Sequence, residues 1–226
     1  MTAPFAGDDS RSSTTAGPGR RIAVIVVIFT VDEGQLKVLL IRRSAEPFKD
    51  SWSLPGGLLT RDETLEEAAV RKLDDETGLT DVFLEQLYTF SDLDSDGSIA
   101  VSYFALVDIS EAHLAQRKAW RPAWSPVEGS PGLAFRNDEV VEYALQRLRA
   151  KLDYSNVAYS LLPPEFSLSR LQATYEAISG KPLDKRNFRK RILSLDIIEP
   201  TGRVASEGRH RPAQLYRFRH RKPIIF

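Results

Sequence analysis

At 226 residues, 42% of them apolar and 27% charged, the chain has the size and composition of a soluble globular protein of one large or two small domains. The absence of cysteine excludes disulfides, thiolate zinc sites and thiol nucleophiles and fits a cytoplasmic setting, and the longest apolar run, Ile22–Phe29, is too short to span a bilayer. The net charge of zero conceals an asymmetry: residues 151–226 carry 15 Lys and Arg against 7 Asp and Glu, leaving 16 against 24 for residues 1–150. An acidic N-terminal part joined to a basic C-terminal part predicts two domains with different partners, the basic one facing a polyanion.

Residues 1–19 are rich in Ser, Thr, Ala and Gly without apolar periodicity and read as a disordered tail. Arg21–Val31 and Gln35–Arg42 are β-rich runs split by Asp32-Glu33-Gly34, which predicts a hairpin. Pro55-Gly56-Gly57 breaks the chain before a helix predicted over Thr64–Thr77, with Leu65, Ala68, Ala69 and Leu73 on one face and Gly78 just past its end. Val82–Phe90 and Ile99–Val107 read as strands around the turn-rich segment 91–97. A helix is predicted over Asp138–Lys151, capped by Asn137, with Val141, Ala144, Leu145, Leu148 and Leu152 on one side. The first domain is therefore expected over 20–152 and the second over 153–226. In the second, Ser167 or Ser169 can cap a helix carrying Leu171, Tyr175 and Ile178, ended by Gly180 and Pro182. Asp184 caps another, Lys185–Leu195, whose apolar stripe is Phe188, Ile192 and Leu195. A basic segment to His210 and a strand over Gln214–Arg219 follow. Helix, turn, helix and then a β-hairpin is a winged helix-turn-helix order.

Gly57–Leu79 reads GLLTRDETLEEAAVRKLDDETGL and resembles a Nudix box. Gly57, Glu63, Arg71, Leu73, Glu76, Gly78 and Leu79 fall on that pattern. Lys72 stands where the family has the first Glu of its metal-binding cluster, and Asp75 where it has the second. The resemblance implies an α/β/α sandwich whose box helix aims carboxylates at a hard cation. Here Lys72 would repel Mg²⁺ and can pair with Glu76 at i, i+4, so efficient hydrolysis is not expected and no metal is required. The surviving Glu66, Glu67, Asp75 and Glu76 would hold Mg²⁺ only weakly. A merely solvated helix with salt-bridge spacing is the plainer reading, and the matching glycines, Glu63 and Arg71 argue against it. Ser51–Gly57 precedes the box, and its glycines allow close backbone approach to a phosphate. Gly56, Gly57, Glu76, Arg42 and Arg43 are the candidate effector contacts, with a plain surface pair as the alternative for the two arginines.

The stretches SLSRLQATYEAISGKPLDKRNFRKRIL and GRHRPAQLYRF, within 167–218, resemble the DNA-binding domain of the Nudix-related transcriptional regulators of NAD metabolism. With the box, that resemblance spans about 200 of the 226 residues in the same domain order. It implies a homodimeric repressor of NAD-biosynthesis or salvage genes, bound to a palindromic operator in double-stranded DNA. Its effector would be ADP-ribose or a related nucleotide, held in a pocket that has lost catalysis. Where members often carry Leu-Ala-Phe-Asp-His before the linking helix, this chain has Leu133-Ala134-Phe135-Arg136-Asn137. The runner-up reading is an ADP-ribose or nucleoside-diphosphate pyrophosphatase with an appended nucleic-acid-binding domain, with Lys72 discriminating; a third is an RNA-binding protein with a vestigial Nudix module. Asn187 suits adenine and Arg186 or Arg189 guanine in a major groove. Lys185 and Lys190 suit phosphates, and Arg203, Arg209 and Arg211 suit a wing on phosphates or in a minor groove. Tyr216 and Phe218 read as the wing's core.

Overall fold

The computed structural model describes residues 21–226 apart from 81, 83, 92, 94–96, 116–120 and 206–211. The expected N-terminal tail and two of the expected wing residues, Arg209 and Arg211, lie outside the described residues.

The chain opens with β1 (Ile22–Asp32) and β2 (Gln35–Arg42), an antiparallel hairpin with Asp32 paired to Gln35. Both turn residues have positive φ, 50° at Glu33 and 75° at Gly34. That pair matches the right-handed strand twist, and glycine takes the second position without Cβ strain. Two short strands follow, β3 (Trp52–Ser53) on β2 and β4 (Gly56–Leu58) on β1.

Helix α1 (Leu65–Thr77) is the box helix. Thr64 accepts from the Glu67 N–H while the Glu67 carboxylate accepts from the Thr64 N–H, a reciprocal cap that fixes where the helix starts. Gly78 ends it at φ 78°, and a Cβ there would lie 2.4 Å from the Ala115 methyl, so glycine is required twice over. Strands β5 (Glu85–Phe90), β6 (Ile99–Leu106) and β7 (Arg121–Pro126) complete a seven-stranded mixed sheet. Its centre is the parallel pair β1–β6, and β5 forms one edge.

β1 alternates between the two layers as a period-2 strand must. Val24, Val26 and Ile28 pack with Ala68, Ala69 and Leu73 of α1. Val27 and Phe29 face the other way, toward α2 (Asn137–Tyr154). The α/β/α sandwich follows from that alternation. In α2 the residues Val141, Ala144, Leu145, Leu148 and Leu152 are buried, as their spacing predicts, together with Val140. The start of α2 differs from the expectation. Asn137 is its first helical residue and not its cap; the position before it is Arg136 in the left-handed region, with no side-chain cap. The Asn137 amide is drawn inward instead, because its Oδ1 satisfies the Leu54 N–H at 2.9 Å across 83 residues of sequence. The helix also runs past Lys151 to Tyr154, with no break between residues 152 and 153.

The basic half contains β8 (Phe166–Ser167), α3 (Leu168–Ser179), α4 (Lys185–Ser194), β9 (Ile198–Ala205) and β10 (Ala213–Phe218), the strands ordered β8-β10-β9. Ser167 caps α3 and Asp184 caps α4, each side chain accepting a backbone N–H of the first turn. Phe188 stacks edge-on against Tyr175 at 5.2 Å, and Ile192 is buried below it. Tyr216 and Phe218 are buried, as wing core. Val27, Phe29, Val38 and Leu40 of the large sheet share one apolar cluster with Leu148 of α2, Leu171 and Ile178 of α3 and Phe188 of α4. Arg149 of α2 adds a hydrogen bond to the Ile178 carbonyl at 2.9 Å. No helix among the described residues is long and apolar enough to cross a membrane.

Candidate effector pocket and nucleic-acid interface

Two sites stand out, and they are built from opposite uses of charge. The first is a cavity of about 310 Å³ over the sheet, walled by Ala23 and Ile25 of β1, Arg43, Pro47, Ser53 and Leu54, the Gly56-Gly57-Leu58 strand, and Phe135 with Asn137 at the foot of α2. Gly56 cannot be replaced: a Cβ would sit 2.5 Å from the Val24 carbonyl oxygen. Backbone therefore forms that part of the wall, where an anion can approach closely. Arg43 enters from the end of β2. Its guanidinium lies over the Phe135 ring at 4.7 Å and donates to the Pro47 carbonyl at 2.9 Å. Burial lowers its pKa, countered by the charge of Glu76. Phe135, on the cavity wall, and Arg136 beside it both hold positive φ, 56° and 51°, an uncommon and strained choice for non-glycine residues. The Ser53 hydroxyl, buried and on the same wall, has no hydrogen-bond partner among the described residues. Arg42 does not line the cavity; its Nε donates to the Asp50 carbonyl at 3.2 Å.

Behind the glycine strand lies the box helix, and several of its charges face one another. Arg71 grips Glu63 through two hydrogen bonds of 2.8 and 2.6 Å. That grip, helped by the Thr60 N–H, holds the Glu63 carboxyl down to about 2. Asp75 lies 3.8 Å from Arg71, and Glu67 is occupied by the cap. Glu76 is 1% exposed; its Oε2 accepts from the Gly56 N–H at 2.9 Å and its Oε1 has no hydrogen-bond partner among the described residues. Burial pushes its carboxyl up to about 7, against the pull of the Gly56 N–H, Lys72 and Arg43. The Lys72 ammonium stands 3.9 Å from that bare oxygen. A Cβ on Gly57 would meet Lys72 Cε at 2.5 Å and Nζ at 2.7 Å, so the lysine lies directly across the Gly57 backbone. Among the described residues, no group of three or more His, Cys, Asp and Glu is placed to hold a metal ion. Of the box carboxylates, Glu63 is clamped by Arg71, Glu67 caps the helix and the buried Glu76 faces an ammonium, while Glu66 and Asp75 are exposed.

The second site is the outer face of α4. Lys185, Arg186, Asn187, Arg189 and Lys190 are exposed, while Phe188 and Ile192 anchor the helix from beneath. None of Lys185, Arg186, Arg189 or Lys190 forms an ion pair among the described residues, whereas Arg191 is held by Asp153 at 3.1 Å. Arg203 on β9 is exposed and lies 3.3 Å from Glu165. A cleft beside α4, lined by Ser169, Gln172, Lys185, Arg189 and Gln214, continues the polar face toward β10.

Pocket walls that sequence reasoning missed are Ser53, Phe135 and Asn137. The departure at Arg136-Asn137 was the available signal for the last two.

Residues 19–144 match the NUDIX domain family, and residues 158–218 match the NrtR DNA-binding winged helix domain. The ADPR responsive transcriptional repressor NtrR of Acinetobacter baylyi is 38% identical over 208 residues, covering 89% of this chain and 83% of the relative. The crystal structure of Shewanella oneidensis NrtR complexed with a 27mer DNA is similar with a TM-score of 0.76 at 36% identity, covering 87% of this chain and 93% of that one. The NUDIX domain of the Shewanella protein complexed with ADP ribose is similar with a TM-score of 0.53 at 35% identity, covering 61% and 94%.

Proposed function

The chain belongs to the NrtR family, a NUDIX domain joined to an NrtR winged helix domain, and from that premise we propose that it is an ADP-ribose-responsive transcriptional repressor of genes for NAD biosynthesis or salvage. Residues 20–152 are the effector-binding part and 153–226 the DNA-binding part of a cytoplasmic homodimer. One observation carries the reading: a single chain holds a backbone-walled anion pocket and a solvent-facing cationic helix, joined by α2 and one continuous core. Both ligands appear on relatives, DNA on the Shewanella protein and ADP-ribose on its NUDIX domain.

ADP-ribose, or a related NAD-derived nucleotide, occupies the cavity with its diphosphate along Gly56 and Gly57 and within reach of Arg43. The α4 residues Asn187, Arg186 and Arg189 read base edges in the major groove, while Lys185, Lys190 and Arg203 contact phosphates. Two copies place two such helices on half-sites about one helical turn apart, or a multiple of it, which makes the operator palindromic.

The protein is not an efficient hydrolase. The observation supporting this is the lysine beside the only deeply buried carboxylate of the box. Within the family reading, the pyrophosphatase alternative demands turnover of ADP-ribose with Mg²⁺ or Mn²⁺ near a typical enzyme rate of about 10 per second. The discriminating experiment is a gel shift on promoter DNA of NAD-biosynthesis genes, titrated with ADP-ribose. A shifted band whose midpoint moves with ADP-ribose supports the repressor; no binding to such promoters, with rapid release of AMP, supports the enzyme.

A further inference from the structure

The fold leaves two polar side chains of the effector cavity incompletely paired, and both are buried. Ser53 is 2% exposed, lines the cavity, and its Oγ has no hydrogen-bond partner among the described residues. Folded proteins keep few such groups, because each forfeits the bonds that water would give it. Asn137 is also 2% exposed. Its Oδ1 is taken by the Leu54 N–H at 2.9 Å, while its Nδ2 donates to the Phe135 carbonyl at a long 3.4 Å. That tie to Leu54, the residue after Ser53, puts hydroxyl and carboxamide at the same end of the cavity.

The rest of the wall suits something flat. On the sheet side, β1 and β6 set Ala23 beside Ala100 in register, so two methyls make a shallow floor. On the loop side stands Phe135, with the Arg43 guanidinium 4.7 Å over its ring and Phe48 edge-on at 4.8 Å. Leu133 bridges to Trp52 and Asn137 bonds to Leu54, so the 133–137 segment, and that ring with it, is tied to β3. At about 310 Å³ the cavity lies at the small end of ligand sites, enough to enclose one ring system of a dinucleotide. Methyl floor, aromatic wall and a two-group polar end fit a planar heterocycle with donors and acceptors on its edge. A phosphate is better served by Arg43 and the Gly56-Gly57 backbone. A ribose, with hydroxyls on most sides, would leave several unpaired against Ala23, Ala100 and Leu93.

We propose that Ser53, with Asn137 beside it, hydrogen-bonds the edge of the effector's nucleobase and so selects ligands that carry one. This rests on the reading of the cavity as the effector site. A hydroxyl both donates and accepts, so Oγ can meet an exocyclic amino group or a ring nitrogen. A dry site built this way discriminates against a ligand that leaves the hydroxyl unpaired.

The test is titration calorimetry of full-length wild type and Ser53→Ala with ADP-ribose, AMP and ribose 5-phosphate, the last read by competition against ADP-ribose. Wild type should bind AMP at least about tenfold more tightly than ribose 5-phosphate, which lacks the base. Ser53→Ala should weaken ADP-ribose and AMP by the same factor, about fivefold to fiftyfold, and leave ribose 5-phosphate within about twofold. The unliganded variant should melt no lower than wild type, because the hydroxyl it lacks was unpaired. Loss for ADP-ribose alone places Ser53 on the distal ribose, equal loss for all three places it on the shared ribose or phosphate, and no loss makes it a bystander. Each of these overturns the proposal, as does a lowered melting temperature or wild-type AMP binding no tighter than ribose 5-phosphate. Absence of ADP-ribose binding by wild type instead removes the reading of the cavity, and the inference with it.

Discussion

Helices α1 and α4 are both crowded with charge, yet they spend it in opposite directions. In and just before α1 most charges are turned on one another: Arg71 on Glu63 and Asp75, Glu67 on the cap, Lys72 on Glu76. In α4 the cations Lys185, Arg186, Arg189 and Lys190 face solvent without an ion pair among the described residues. Internally paired charge builds a rigid pocket, whereas unpaired charge on a short, well-anchored helix is an electrostatic footprint for a polyanion. Composition alone sees only an acidic half and a basic half. The difference between them lies in where each charge finds its partner.

Four measurements break or sharpen that contrast, in descending size of effect. Phe188 anchors α4 against Tyr175, so Phe188→Ala is expected to cost about 3–5 kcal/mol. Denaturant unfolding should show that loss, and duplex titration should show DNA binding lost with it if α4 is the reading helix. The second concerns Glu76 in α1. Burial lifts its folded pKa to about 7, well above the ordinary carboxylate range, so the folded state binds the extra proton. Its contribution is most favourable below about 4.5 and is lost as pH rises through about 7, a swing on the order of 3 kcal/mol. Glu76→Gln should flatten stability against pH across that window. Glu63 has the opposite sign: its depressed carboxyl stabilises above its ordinary range, and that support fades as pH falls toward about 2. Third, Arg189→Ala or Asn187→Ala is expected to cost roughly 1–3 kcal/mol and relax preference at one position per half-site, read by binding to matched and singly altered duplexes. Last, Lys190→Ala should weaken all duplexes alike and lower the slope of log affinity against log salt by about one. Wild-type DNA binding by all the α4 variants would move the DNA to another surface.

Much of the fold was legible because its elements carry strong local signals. The Glu33-Gly34 turn, Gly78 and the Asp184 cap each state a boundary in the residues that form it. β7 was not legible as a strand: it contains Pro122 and Pro126, yet it lies at an edge of its sheet, where a missing N–H is tolerated. Asn137 misled because its local chemistry favours a cap, while a distant orphan N–H, that of Leu54, claimed its side chain. At the site, the box residues came from the family resemblance, and Arg43 was one of two candidate arginines at the end of a strand, of which only it lines the cavity. The clamp on Glu63, the burial of Glu76 and the approach of Lys72 to Gly57 were not legible, since they depend on how the strand and helix face each other in space.

The central claim is that the pocket and α4 act as one device through α2 and the shared core. Linkage makes this measurable: if ADP-ribose changes DNA affinity by some factor, DNA must change ADP-ribose affinity by the same factor, with coupling of about 1–3 kcal/mol typical. The direct measurement is calorimetry of ADP-ribose binding to the protein alone and to the protein saturated with a duplex it has selected from a random library. The account predicts affinities that differ about fivefold or more, matched by the reciprocal change in DNA affinity. Identical ADP-ribose affinities in the two states would contradict it.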